Sequence, residues 1–270
     1  MGTAIRSAAA DAGLDLVEVP RSVDLTDPLR VSEFVASHAP AWIINAAAMT
    51  DVDGAHVDPQ AAMAVNGLGP GFLARAAHAC EARLVHVSTE AVFDGGSPVP
   101  YREEDRCSPV SVYGASKLAG EQLVGIYSPE SYVLRTSWLY SGATGANFPT
   151  RLLAQLEDPE RAISVVTDVV GNPTPTGVLT EAILAVMSET PRPGTYHVCC
   201  TGSASKFDWA VAIAESAGYD PARISATTSD SYPTVAKRPK HVDLDCAKFA
   251  SLGLTNLPTW RDAWIAVASA

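Results

Sequence analysis

The sequence predicts an α/β fold built on a doubly wound parallel sheet, and three observations carry that prediction. Short runs rich in Val, Leu and Ile show no polar alternation, as expected for strands covered on both faces. They alternate with longer amphipathic stretches, and Pro- and Gly-rich punctuation separates the two kinds. The chain has 270 residues, enough for one large domain or two modest ones.

In chain order, strands are expected at 14–19, Trp42–Asn45, 83–88, 132–135, Ile163–Val166 and 196–199. Helices are expected at 3–12, 29–38, 59–79, Val112–Tyr127, Phe148–Leu156, 178–188 and 207–217. Asp27 and Asp58 each precede a proline, which places an N-cap before proline at the first helical position. After about residue 149 the elements shorten and prolines gather (Pro173, Pro175, Pro191, Pro193, Pro233, Pro239). Residues 1–149 therefore read as the main sheet domain and 150–270 as a smaller lobe with segments returning to that sheet. Ligands of such folds lie beyond the carboxyl ends of the strands.

Composition excludes several classes. The longest nearly apolar stretch, 39–49, contains Asn45 and is far shorter than the roughly 20 residues of a membrane-spanning helix. Thirty acidic against nineteen basic residues leave a net charge of −11, which opposes attraction to nucleic acid and to anionic lipid. The five cysteines show no CxxC spacing and follow no leader peptide, which points to a reduced, cytoplasmic protein. The histidines form no HxxxH pair, so no metal site is expected.

Chemistry concentrates in two places. One strand ends in Ser88-Thr89-Glu90, and a later helix carries Tyr113-Gly114-Ala115-Ser116-Lys117. Positions four apart share a helical face, so Tyr113 and Lys117 can point into one cleft. There the ammonium is expected to lower the phenol pKa, Tyr113 to deliver a proton to a carbonyl oxygen, and Thr89 to hold that carbonyl. For the spacing alone, a chance match on a solvated helix remains the alternative.

Together with VHVSTEAVFDG, PYREED, CSPVSVYGASKLAGE, VLRTSWLY, DVVGNPT and YPTVAKRP in this order, the chain resembles the extended short-chain dehydrogenase/reductases, and within them the dTDP-4-dehydrorhamnose reductase family. The resemblance implies a Rossmann-type domain and hydride transfer from NADPH, or NADH, to the 4-keto group of a nucleotide-linked 6-deoxyhexose. Thr89, Tyr113 and Lys117 then become the catalytic hydroxyl, proton donor and ribose-binding lysine. The cofactor would lie along Ala48, Met49 and Thr50 in WIINAAAMTDVD, a run that serves sheet–helix packing equally well, with Asp24 and Leu25 flanking its adenine. Val19-Pro20 and then Arg21 occupy the region where an acidic residue selects NAD, which favours NADPH. Asn66, inside a helix broken by Gly67, Gly69, Pro70 and Gly71, either supports the lysine through water, as the resemblance implies, or marks a kink.

Trp138 is similar to the aromatic wall of the sugar site, although a core role is open to it, and Arg238 could answer the diphosphate. Glu90 and Ala91 stand where the family carries a shorter acid and an aromatic, beside the reacting sugar, so reductases of other deoxysugars stay open. An epimerase or dehydratase shares the same three residues, and a non-catalytic binding subunit shares the fold. Relatives dimerise through a metal held by glutamates; a homodimer and Mg²⁺ rest here on resemblance alone. Gly2 is similar to the third glycine of a G-x-x-G-x-x-G turn. The expectation is therefore a chain shortened at its N-terminus, its first strand missing between 14–19 and Trp42–Asn45, with a weakened hold on the cofactor.

Overall fold

The computed structural model describes residues 1–142, 145 and 147–269. The strands are β1 (Trp42–Asn45), β2 (Arg83–Thr89), β3 (Tyr132–Thr136), β4 (Leu139–Tyr140), β5 (Ile163–Val166), β6 (Val170–Gly171), β7 (Thr174–Pro175), β8 (Gly194–His197), β9 (Ala204–Ser205) and β10 (Ile224–Thr227). The helices are α1 (Gly2–Asp11), α2 (Pro28–His38), α3 (Val52–Val57), α4 (Pro59–Ala62), α5 (Gly69–Ala79), α6 (Val112–Tyr127), α7 (Phe148–Leu156), α8 (Thr176–Glu189), α9 (Lys206–Ser216), α10 (Ala247–Ala250) and α11 (Trp260–Ala268).

The main sheet is parallel, in the order β1-β2-β3-β8, with Ile44 opposite Val85, Val85 opposite Tyr132, and Tyr132 opposite Gly194. Successive side chains point to opposite faces, and both faces are covered. Leu84 and Val133 pack on Ala74 and Ala77 of α5 and Val124 of α6. Val85 and Leu134 pack on Ile5 of α1 and on Leu179 and Ile183 of α8. Helices on the two faces of a parallel sheet make the doubly wound arrangement that the sequence predicts.

Two expectations are corrected. Residues 14–19 form no strand: Leu14, Leu16, Val17 and Val19 are exposed, and among the described residues no strand pairs with the outer edge of β1. An apolar run becomes a strand only where a neighbour satisfies its backbone groups. The single helix expected over 59–79 divides into α4, a π-helical turn at Met63–Leu68, and α5.

Beyond β3 a second hydrophobic core forms around Tyr140, Leu152, Ile163, Trp209, Ile213 and Trp264. β5 pairs with β10 there rather than with the main sheet. Buried Asn172 ties this lobe together: its side chain donates to Gly202 O (3.0 Å) and accepts from Leu244 N–H (2.8 Å), and its own N–H donates to Ser137 Oγ (3.2 Å).

Candidate active site

The carboxyl end of β2 and the first turn of α6 meet because Gly114 has no side chain. A Cβ at Gly114 would lie 2.1 Å from the Ala91 carbonyl oxygen. Ser111 caps α6 by accepting from Gly114 N–H at 3.1 Å. Tyr113 is thereby set beside the turn that carries Thr89, and Lys117 follows one helical turn later on the same face.

Thr89 Oγ1 accepts from Ala91 N–H (3.2 Å) and donates to Glu90 Oε2 (2.7 Å). Burial raises the Glu90 carboxyl, opposed by the Thr89 hydroxyl and by the charge of Lys206. The Tyr113 phenol is pushed up to about 12, first by burial and then by the Glu90 charge, with the Thr89 hydroxyl opposing. This corrects the expected downward shift. Lys117 turns its Nζ to Val87 O at 2.7 Å, and burial brings it down to about 8 while Glu121 opposes. Tyr113 therefore remains a phenol, the form that can give up a proton.

Beneath these residues lies a buried ion pair. Arg135 of β3 and Glu121 of α6 approach to 2.7 Å, each side chain 6% exposed, and Ser88 Oγ also donates to Glu121. The pair locks β2, β3 and α6 together under the site. His86, fully buried, places Nε2 3.4 Å from Lys117 Nζ and Nδ1 3.0 Å from Asn45 Nδ2. Asn45 Oδ1 in turn accepts from Ala47 N–H.

Asn66 sits in the π-helical turn. Its Oδ1 accepts from Met49 N–H (2.8 Å), and its Nδ2 donates to Met49 O (3.0 Å) and Ser116 Oγ (3.1 Å). It thus fixes the strand-end loop of Ala48, Met49 and Thr50 against α6. No hydrogen bond joins it to Lys117 among the described residues. Leu25 packs on Gly69, and exposed Asp24 is spent on Thr26 N–H and Oγ1 (2.9 Å each). Arg21 is exposed and makes no hydrogen bond among the described residues. Gly2 opens α1, whose first turn has no side-chain cap among the described residues.

The far wall is aromatic. Trp138 holds a left-handed backbone (φ 43°), a conformation of the kind that concentrates at functional sites. Its ring stacks on Trp209 with centroids 6.0 Å apart. Lys206, which the sequence reading does not single out, lays its Nζ 3.3 Å from the Trp138 ring centroid. Arg238 is paired with Asp53 at 2.8 Å rather than standing free. Among the described residues no three His, Cys, Asp or Glu side chains gather as metal ligands.

Residues 1–269 match the model of the RmlD substrate binding domain. The chain belongs to the RmlD family. A dTDP-4-dehydrorhamnose reductase from Mycolicibacterium smegmatis is 41% identical over 265 residues, covering 97% of this chain and 80% of that one. The crystal structure of a dTDP-4-dehydrorhamnose reductase from Clostridium acetobutylicum superposes with a TM-score of 0.93 at 31% identity, covering 99% of this chain and 94% of the other. The Bacillus anthracis dTDP-4-dehydrorhamnose reductase, solved in complex with NADP, gives 0.90 at 30% identity over 97% of this chain and 92% of that one. The RmlD membership accounts for the parallel sheet and for the order of motifs along it. Within this RmlD chain, Lys206, His86, Asn172 and the Glu121–Arg135 pair escape sequence reasoning because their partners are distant in the chain.

Proposed function

We propose that this chain reduces the 4-keto group of a dTDP-linked 4-keto-6-deoxyhexose with NADPH, converting dTDP-4-dehydro-L-rhamnose to dTDP-L-rhamnose. The observation that carries the reading is the meeting of Thr89 and Tyr113 at the end of β2, enforced by the absent side chain of Gly114. The family membership and the NADP complex of the Bacillus relative support the cofactor.

NADPH, when bound, supplies the hydride that the carbonyl carbon accepts. The residues that fit it are the open N-terminus of α1 at Gly2 for pyrophosphate, Asp24 and Leu25 beside the adenine, and Arg21 toward the 2′-phosphate. Ala48, Met49 and Thr50 offer a backbone track that Asn66 holds, and Lys117 donates to the nicotinamide ribose with the donors it does not spend on Val87 O. Thr89 Oγ1 donates to the substrate's C4 oxygen once it leaves Glu90, and shares the charge that grows there. The Tyr113 phenol passes its proton to that oxygen, which completes the alcohol.

Residues 1–149 thus hold the cofactor and perform the chemistry, and 150–270 contribute most of the sugar side. Trp138 walls the hexose, Glu90 accepts from one of its hydroxyls, and Arg238 keeps its remaining donors for the diphosphate. Five unpaired cysteines support a reduced cytoplasmic setting, and the net charge of −11 supports a small-molecule partner over nucleic acid. The self-association of the chain as a homodimer belongs to the same reading.

The test is NADPH oxidation by the wild-type chain on dTDP-4-dehydro-L-rhamnose, with Tyr113→Phe as control. Oxidation that the control lacks is expected. Nucleotide-sugar binding with no oxidation would assign the chain to a non-catalytic binding role instead.

A further inference from the structure

We infer that Lys206 is a specificity-determining residue that reads the sugar: its ammonium donates to hydroxyl oxygens of the hexose lying against Trp138, opposite the accepting carboxylate of Glu90. The inference rests on the functional reading above and deepens it.

Lys206 opens α9, and its side chain folds over aromatic rings. Nζ lies 3.3 Å from the Trp138 ring centroid, 4.9 Å from that of Trp209 and 5.0 Å from that of Phe148. Among the described residues no carboxylate lies within ion-pairing distance of it and no acceptor takes a hydrogen bond from it. An ammonium has three donors, and ring faces attract its charge without consuming them in directed bonds. The donors remain available to a ligand. The same side chains, with Leu139, Asn147 and Arg151, line a cavity of ≈ 230 Å³. At ~30 Å³ per water that space equals roughly eight waters, enough for one sugar ring. The Nε1–H of Trp209, one of the lining rings, is buried without a hydrogen-bond partner among the described residues.

The chemistry of the lining selects the ligand class. Half-buried Leu139 and Phe148 in the lining suit the C–H face of a hexose. Lys206 and Arg151 bring donors to the lining, and the Glu90 carboxylate, held on Thr89 outside it, is the nearby acceptor, a combination that suits hydroxyls that both accept and donate. Since Glu90 also bonds Thr89, the ring read by this pair sits next to the reacting carbonyl.

The charged groups facing Lys206 are Glu90 from the turn after β2 and Arg151 from α7. Burial, with Arg151 in the same direction and Glu90 opposing, brings the amine down to about 7. Its donor charge is therefore present below that pH and fades above it.

The experiment titrates the full-length wild type, Lys206→Met and Lys206→Arg with dTDP-L-rhamnose and with dTDP alone, by calorimetry on either side of about pH 7. Met fills the cage with similar volume but cannot donate. The Met variant is expected to bind dTDP as the wild type does and dTDP-L-rhamnose about 10-fold to 100-fold more weakly, with partial recovery in the Arg variant. Wild-type affinity for dTDP-L-rhamnose is expected to fall as pH rises through about 7, and that of the Met variant to stay flat. A Met variant that binds both ligands like the wild type overturns the inference. So does one that loses both equally, since that marks a purely structural lysine. A wild type that binds dTDP-L-rhamnose no better than dTDP also overturns it, while NADPH oxidation decides the functional reading separately.

Discussion

Lys117 of α6 and Lys206 of α9 rise from the sheet domain and from the smaller lobe, and different physics holds each. Lys117 is 2% exposed and donates to a strand carbonyl at 2.7 Å, above a buried ion pair. Lys206 rests against three ring faces with no directed bond among the described residues. Burial lowers both, to about 8 and about 7. A lysine tied to a carbonyl is fixed in orientation and brings only its remaining donors to a ligand. One held by ring faces is fixed in place but free in its donors, and so can answer a ligand.

The largest effect is expected at neither lysine but at Tyr113. Tyr113→Phe removes the proton donor while leaving both ammoniums in place, and should lower kcat about 1,000-fold without altering NADPH affinity, measured by fluorescence titration. The sheet side breaks next. Arg135→Met leaves Glu121 buried and unpaired, and should cost about 3 kcal/mol in urea unfolding, a loss with no counterpart in the ring-held wall.

Two smaller effects sharpen the contrast. Glu90→Gln removes a charge that raises Tyr113 and supports the Lys206 ammonium, so the alkaline limb of kcat should begin at lower pH than in the wild type. Lys206→Met should stabilise the fold by ~1 kcal/mol below pH 7, because a desolvated charge disappears. The sign follows from proton binding. Lys206 titrates at about 7 when folded against 10.5 as its ordinary value, so the unfolded wild type binds more protons across that interval. Wild-type stability therefore rises with pH through it, and the advantage of the Met variant should shrink as the unfolding series moves to alkaline buffer.

What the sequence makes legible is local. α6 can be read with both ends, because Ser111 caps it and its apolar face keeps a helical period, and Tyr113 and Lys117 inherit their alignment from it. The Tyr113 titration cannot be read the same way. Proximity along a helix suggests a cationic neighbour, but burial and then the Glu90 charge decide the outcome. Residues 14–19 mislead because apolar content is visible in a sequence and a pairing partner is not. The break at Asn66 depends on its bonds to Met49, seventeen residues away. The cage around Lys206 draws on positions 138, 148 and 209, whose meeting is a property of the second core alone.

The contact between Gly114 and the Ala91 carbonyl has an evolutionary consequence. Most losses of function by single substitution delete something: a charge, a ring, a hydroxyl. Here the addition of one methyl would wedge the donor-bearing helix away from its partner turn while every named catalytic side chain stayed in the sequence. A descendant altered only at Gly114 would look intact in any inventory of catalytic residues. The activity of this chain is thus encoded as much in an omitted atom as in the groups that react.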